Sequence, residues 1–249
     1  MKSAPGRILL TGGTGRLGRE LRALLTGVVA PARTDLDITH PEMIAAALER
    51  TEPEVLVHAA AYTDVAAAEQ DRAGCWHTNV DGTRAVVQAA SAADVFLVYI
   101  STDYVFEGTC GMYREADPPG PVCNYYALSK LVAEALVRLA PRHLIIRTSF
   151  RPRQWPYPVA FTDVYTSQDY VDVIAPQIAL AIQHHRDIPY GILHIATERK
   201  SAYELARRRR PGVRPGSKHE VRVTLPDDIS LDTARWQALS KTWGRVSTP

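Results

Sequence analysis

Arg7-Ile8-Leu9-Leu10-Thr11-Gly12-Gly13-Thr14-Gly15-Arg16-Leu17-Gly18 stands near the start of this chain. Its first five residues read as a short buried strand, and Leu21, Leu24 and Leu25 follow at helical spacing. Strand, glycine turn and helix arrive in the order that a dinucleotide site requires. Gly12, Gly15 and Gly18 fall at Gly-x-x-Gly-x-x-Gly spacing. Absent side chains there permit a tight turn and let a pyrophosphate approach backbone N–H groups at a helix start. Arg16 and Leu17 lie inside the same turn and complete this part of the expected cofactor site.

Outward from that unit the chain alternates strand-like and helix-like segments, the pattern of a parallel sheet covered by helices on both faces. The expected strands are 7–11, 27–31, 54–59, 94–101, 143–148 and 190–195. The expected helices lie near 16–25, 40–51, 73–92, 125–139, 169–184 and 201–209. The fold class is therefore α/β, a doubly wound parallel Rossmann-type sheet. A proline-rich run at 151–158 marks a connection leaving the sheet. Residues 1–150 form the expected NAD(P)-binding unit. Residues 151–249 carry elements returning to the main unit, interleaved with what the family resemblance of the motifs around Tyr126 implies is a small, truncated substrate-binding cap.

Tyr126 and Lys130 stand four apart, on one face of an expected helix. A cation close to a phenol lowers its pKa by roughly 1–3 units from about 10. Such a Tyr passes a proton to a carbonyl oxygen near neutral pH. Thr102, at the end of the apolar strand before it, is placed to donate a second hydrogen bond to the same oxygen. Alone, Tyr-x-x-x-Lys is a weak motif; downstream of the glycine turn and Thr102 it gains weight.

Composition bounds the alternatives. The chain has 249 residues and a net charge of +2, so no bulk electrostatic signal points to nucleic acid or membrane. Arg207-Arg208-Arg209-Arg210 is an exception, read as the solvated C-terminal end of a short helix stopped by Pro211-Gly212. Cys75, Cys110 and Cys123 lack metal spacing, and neither they nor the eight His support a metal site. No signal peptide or long apolar span is evident, which gives a cytoplasmic expectation.

The stretch Ser101-Thr102-Asp103-Tyr104-Val105-Phe106-Glu107-Gly108, with Tyr113-Arg114-Glu115, Pro118-Pro119 and Asn124-Tyr125-Tyr126-Ala127-Leu128-Ser129-Lys130-Leu131, resembles the dTDP-4-dehydrorhamnose reductase family of extended short-chain dehydrogenases/reductases. Leu36-Asp37-Ile38-Thr39, Ala59-Ala60-Ala61-Tyr62-Thr63-Asp64-Val65, Glu69 and Thr78-Asn79-Val80 agree with it. The resemblance runs from about Gly6 to Ser149. It implies reduction of C4 of a dTDP-linked 6-deoxyhexose, a step of dTDP-rhamnose biosynthesis, with Tyr126 as acid, Lys130 on the nicotinamide ribose and Thr102 polarising the carbonyl. It further implies Asp37 and Ile38 beside the adenine, and Ala59, Ala60, Ala61 and Tyr62 along the rest of the cofactor. Thr63, Tyr104, Val105, Phe150 and Trp155 are the substrate-binding candidates.

In many such proteins an acid at the end of the second strand holds the adenine ribose and selects NAD. Here that place is Ala32, and Arg33 follows. Arg33, assisted by Arg16, suits a 2′-phosphate, so NADP(H) is the expected cofactor and NAD(H) the alternative. Phe150 stands where relatives carry a Trp that packs on the sugar, and the following cap segment is shorter by about a helix. Trp155 and Tyr157 either rebuild that wall or pack against the shortened cap. The apolar residues of the tail, among them Trp236 and Trp243, either dock on the body or lie in a homodimer interface. Three functions fit: the reductase of a nucleotide-activated keto-sugar, an epimerase or dehydrogenase of the same fold on another substrate, and a non-catalytic NADP-binding regulatory subunit resembling the methionine adenosyltransferase beta subunit.

Overall fold

The structure, a computed structural model, describes residues 7–189, 191–221 and 225–243. Positions 1–6 of the first expected unit, position 190 of the last expected strand, and positions 222–224 and 244–249 of the tail lie outside the described residues.

Alternation along β1 (Ile8–Thr11) sets the two layers of the core. Ile8 and Leu10 face one side, packing with Leu17 and Leu21 of α1 (Arg16–Leu24), whereas Leu9 faces the other side, with Ile44 and Leu56. The chain then runs through β2 (Val28–Val29), α2 (Pro41–Thr51), β3 (Val55–His58), α3 (Val65–Gln70), α4 (Arg72–Trp76), α5 (Gly82–Ala92), β4 (Phe96–Thr102), α6 (Tyr125–Val137) and β5 (His143–Thr148). Beyond β5 come β6 (Phe150–Arg151), β7 (Val159–Phe161), β8 (Tyr165–Thr166), β9 (Asp169–Tyr170), α7 (Val171–Gln183), β10 (Ile192–His194), β11 (Lys200–Ser201), α8 (Ala202–Arg207), β12 (Arg214–Gly216) and α9 (Ala234–Trp243).

The main sheet has the order β10-β5-β4-β3-β1-β2 and is parallel throughout. Its strand order reverses between β1 and β3, and ligands of open α/β sheets bind at such a switch point, beyond the carboxyl ends of the strands. Gly12 follows β1 and Ala59 follows β3, so both expected cofactor segments open onto that crevice.

Several elements differ from the expectation. The expected strand 27–31 shrinks to two residues, because Pro31 has no N–H to continue the ladder. The expected helix 73–92 is α4 and α5 joined by a π-helical stretch, His77–Asp81. The expected helix 169–184 begins at Val171, since Asp169 and Tyr170 pair with Phe150 and Arg151 as strands. Three two-stranded pairs, β6 with β9, β7 with β12 and β8 with β11, build the cap together with α8.

The tail docks on the body. Trp236 is buried and its Nε1 donates to Gln177 Oε1 of α7 at 2.7 Å, while the Trp243 ring stacks on His184 at 4.4 Å. The arginine run is not simply solvated either. Arg208 pairs with Asp169 at 2.8 Å and with Glu198, and Arg209 pairs with Asp172 at 2.9 Å. Arg210 Nη1 donates to the Tyr157 carbonyl at 2.9 Å. These arginines tie α8 to the rest of the cap.

Candidate active site

The glycine turn is shaped by close backbone approach. Gly12 has φ +72°, and a Cβ there would lie 2.6 Å from the Ala60 nitrogen. At Gly18 a Cβ would collide with the Gly12 carbonyl, so α1 can lie against the turn only with glycine there. α1 starts at Gly15 with no side-chain cap and no acid in its first turn, which leaves backbone N–H groups for an anion. Below the turn, His58 sits between the Thr11 and Thr83 hydroxyls at 2.9 and 3.1 Å, and Thr11 Oγ1 accepts from Ala60 N at 3.2 Å. Burial, then the nearby Lys130 charge, lowers His58 to about 3, so a neutral imidazole braces β1 against β3. An uncapped helix start behind a cradle that a Cβ would fill fits a dinucleotide pyrophosphate.

Along the adenine side, Arg33 Nε donates to Asp37 Oδ2 at 3.0 Å. Burial opposes ionisation of Asp37, but hydrogen bonds from Thr39 and Arg33 outweigh it and hold the carboxyl at about 2. Arg33 is thus anchored at the cleft edge with most of its guanidinium exposed, near the open side chain of Arg16.

The catalytic candidates converge at the other end. Asn124 caps α6, its Oδ1 accepting from Ala127 N at 2.8 Å, which places Tyr126 in the first turn. Thr102 ends β4; its hydroxyl donates to Asp103 Oδ1 at 3.1 Å and lies close enough to the Tyr126 phenol to favour its ionisation. Lys130 lies one turn beyond Tyr126, with Nζ 4.1 Å from the centroid of the Tyr99 ring and donating to the Ile100 carbonyl at 2.8 Å.

This corrects the expected electrostatics. Burial, followed by the charge of Asp103, raises the Tyr126 phenol above its ordinary value, whereas Lys130 was expected to lower it. Burial also lowers Lys130 to about 7, against the pull of Glu134. The ammonium is hydrogen-bonded to the main chain of β4.

One cleft of about 1220 Å³ joins these groups, larger than a typical single-ligand pocket of ~300–1,000 Å³. It is lined by Gly12, Gly15, Arg16, Leu17, Gly18, Arg33, Asp37, Ile38 and Ala59 to Ala61 at one end. Thr63, Thr102, Tyr104, Tyr126, Lys130, Phe150 and Trp155 line the other. Two expected residues are not among the lining. Val105 is fully buried with Phe106, Ala196 and Leu231, because the 3-10 turn Asp103–Val105 sends Tyr104 into the cleft and Val105 behind it. Tyr62 packs its ring with Ala68, Cys75 and Tyr126, while its main chain is held from both sides by the Asn79 amide.

Sequence reasoning gave no role to Asp103, which lines the cleft beside Thr102. Burial pushes its carboxyl up to about 6, against hydrogen bonds from Thr102 and Ser149 and the charge of Arg151. Its only sequence signal was an acid directly after an apolar strand. Leu225 and Ile229 of the tail also reach the cleft. Among the described residues, no helix is long and apolar enough to cross a membrane.

A glycine-turn Rossmann unit whose cleft runs to a Thr/Tyr/Lys group beyond β4 is the arrangement of the extended short-chain dehydrogenases/reductases. Within that class the family model for the RmlD substrate binding domain matches residues 6–179, and the chain belongs to this family. It is 34% identical over 181 residues to the dTDP-4-dehydrorhamnose reductase of Aggregatibacter actinomycetemcomitans, covering 69% of this chain and 61% of that protein. To the enzyme of the same name from Burkholderia thailandensis it is 42% identical over 135 residues, 53% of this chain and 45% of that one. These matches span about half to three-fifths of the relatives' length. The crystal structure of dTDP-4-dehydrorhamnose reductase from Bacillus anthracis in complex with NADP superposes with a TM-score of 0.84 at 27% identity, covering 99% of this chain and 95% of that one.

Proposed function

We propose that this chain is an NADPH-dependent reductase of a nucleotide-activated keto-sugar, with a dTDP-4-keto-6-deoxyhexose as the leading substrate. The observation that carries the reading is the convergence of Thr102, Tyr126 and Lys130 on the cleft that begins at the glycine turn. Kinship to reductases so named, and a similar structure described with NADP, support it. On this reading residues 1–150 hold the cofactor and residues 151–249 supply a reduced cap.

When bound, the nicotinamide supplies the hydride. The α1 N–H groups and the glycine turn would hold the pyrophosphate, Arg33 and Arg16 would take the 2′-phosphate, and Lys130 would bind the nicotinamide ribose hydroxyls. Thr102 donates to the substrate carbonyl oxygen while Tyr126 gives it a proton. A raised phenol pKa keeps that proton in place at neutral pH. General acid catalysis of this kind contributes about 10²–10⁴-fold, and hydrogen bonds aimed at the growing alkoxide add electrostatic stabilisation. The test is loss of NADPH absorbance on mixing the protein with dTDP-4-keto-6-deoxy-mannose. No loss while NADPH still binds would shift the reading to a different substrate or to the regulatory role.

Cofactor choice has its own check. Arg33→Ala is expected to weaken NADPH binding about tenfold, as befits loss of a charge-assisted hydrogen bond of ~1.5–3 kcal/mol, and to leave NADH within about twofold. Equal losses for both cofactors would remove Arg33 from 2′-phosphate recognition.

A further inference from the structure

The cap is rich in arginine, and many of its cations have a carboxylate. Arg153 pairs with Glu20 at 2.8 Å, Arg208 with Asp169 at 2.8 Å, Arg209 with Asp172 at 2.9 Å, and Lys200 approaches Asp169 at 4.0 Å. Arg151 differs. Its guanidinium lines the cleft, has no carboxylate within ion-pair distance among the described residues, and carries a buried Nε with no hydrogen-bond partner. It lies over the Trp155 ring at 5.4 Å and beside the Tyr157 ring at 6.0 Å. Trp155 is only 6% exposed, and its Nε1 is likewise buried without a partner. Asp103 feels the charge of Arg151, but at longer range than an ion pair.

A cleft-lining arginine with no carboxylate of its own leaves its terminal guanidinium nitrogens for a ligand. The acceptor that suits them is an anion with several oxygens, since the guanidinium fork matches phosphate geometry. Tyr157, a residue 51% exposed, adjoins the fork at the cleft wall and offers a ring on which a nucleobase can stack.

We propose that Arg151 binds the diphosphate of a nucleotide-sugar through its terminal guanidinium nitrogens, and that Tyr157 stacks on its base. The proposal rests on the reductase reading and names the residues by which the shortened cap holds the nucleotide. Strand pairing fixes the place: Phe150–Arg151 lies in register with Asp169–Tyr170, so Arg151 is held on a strand next to Phe150, within reach of a substrate whose ketone sits at Tyr126.

Calorimetric titration of dTDP, and separately of inorganic pyrophosphate, into the NADP⁺-saturated protein tests this, because the saturated cofactor site cannot take either probe. Arg151→Met is expected to weaken dTDP and pyrophosphate by about tenfold or more, with Arg151→Lys recovering part of the loss. Tyr157→Ala should weaken dTDP and leave pyrophosphate unchanged. NADP⁺ affinity, unchanged in all three, reports that each variant is folded. Arg151→Met binding dTDP within twofold of the parent would overturn the subsite, and turnover of the dTDP keto-sugar by the parent would leave the reductase reading standing. A parent protein that binds NADP⁺ but neither dTDP nor the keto-sugar would overturn both.

Discussion

Tyr126→Phe is expected to cut turnover of the keto-sugar by roughly 10²–10⁴-fold while NADPH affinity stays within about twofold. Only the hydroxyl is removed, and the ring keeps its packing with Tyr104, centroid to centroid 6.3 Å, and with Ala68 and Cys75. Thr102 would still polarise the carbonyl, so a residual rate should survive. The direction of the phenol's shift gives a second readout. A phenol held above its ordinary value stays protonated through neutral pH, so Tyr126 itself should not impose a fall in rate between pH 6 and 9. Groups that do titrate nearer that range are Asp103, pushed up to about 6, and Lys130, brought down to about 7, both by burial. Any limb seen there should persist in Asp103→Asn only where Lys130 causes it. Comparable turnover in Tyr126→Phe and the parent, measured by NADPH absorbance, would remove the phenol from the chemistry.

The residues that made the site legible from sequence are those whose chemistry follows from local spacing. Gly12, Gly15 and Gly18 need only the turn that contains them, and Tyr126 and Lys130 need only a helix. The side of a short loop on which a residue falls is a tertiary matter, and there the reading slipped. Tyr104 and Val105 are neighbours in one 3-10 turn, yet one faces the cleft and the other the core. The Lys130 ammonium was placed correctly along the helix, but its direction depends on the Ile100 carbonyl thirty residues away. Arg151 carried no signal at all. An arginine becomes notable in a cleft when its neighbours' carboxylates are already paired, and those pairs join segments distant in sequence. Likewise β2 and the π-helical stretch reflect packing against β1 and α6, which no window of local propensity contains.

The largest effect on stability should come from a pair that positions this chemistry without touching it. Arg147 on β5 and Glu134 on α6 are side-chain exposed by 0% and 1%, and they meet through two hydrogen bonds, Nε to Oε1 at 3.0 Å and Nη2 to Oε2 at 2.8 Å. Ser101 Oγ adds a third to Oε1 at 2.6 Å, so the carboxylate links α6 to β4 one residue before Thr102. The guanidinium also packs over the Phe106 ring at 4.9 Å. Removing one partner of such a pair leaves an uncompensated buried charge, at a cost of about 3–5 kcal/mol. In a chain of this size Glu134→Ala should therefore lower Tm by roughly 10 °C. Pairing Glu134→Leu with Arg147→Met should restore most of the loss, because apolar groups of similar volume remove the stranded charge. That double variant separates fold from function. It keeps the core filled but frees α6 from β4, so its Tm should recover while turnover stays low through misplacement of Tyr126 relative to Thr102. Recovery of both together would mean that packing alone sets the distance between the two hydroxyls. A Tm fall below about 2 °C in Glu134→Ala would show that Arg147 finds another partner once the carboxylate is gone.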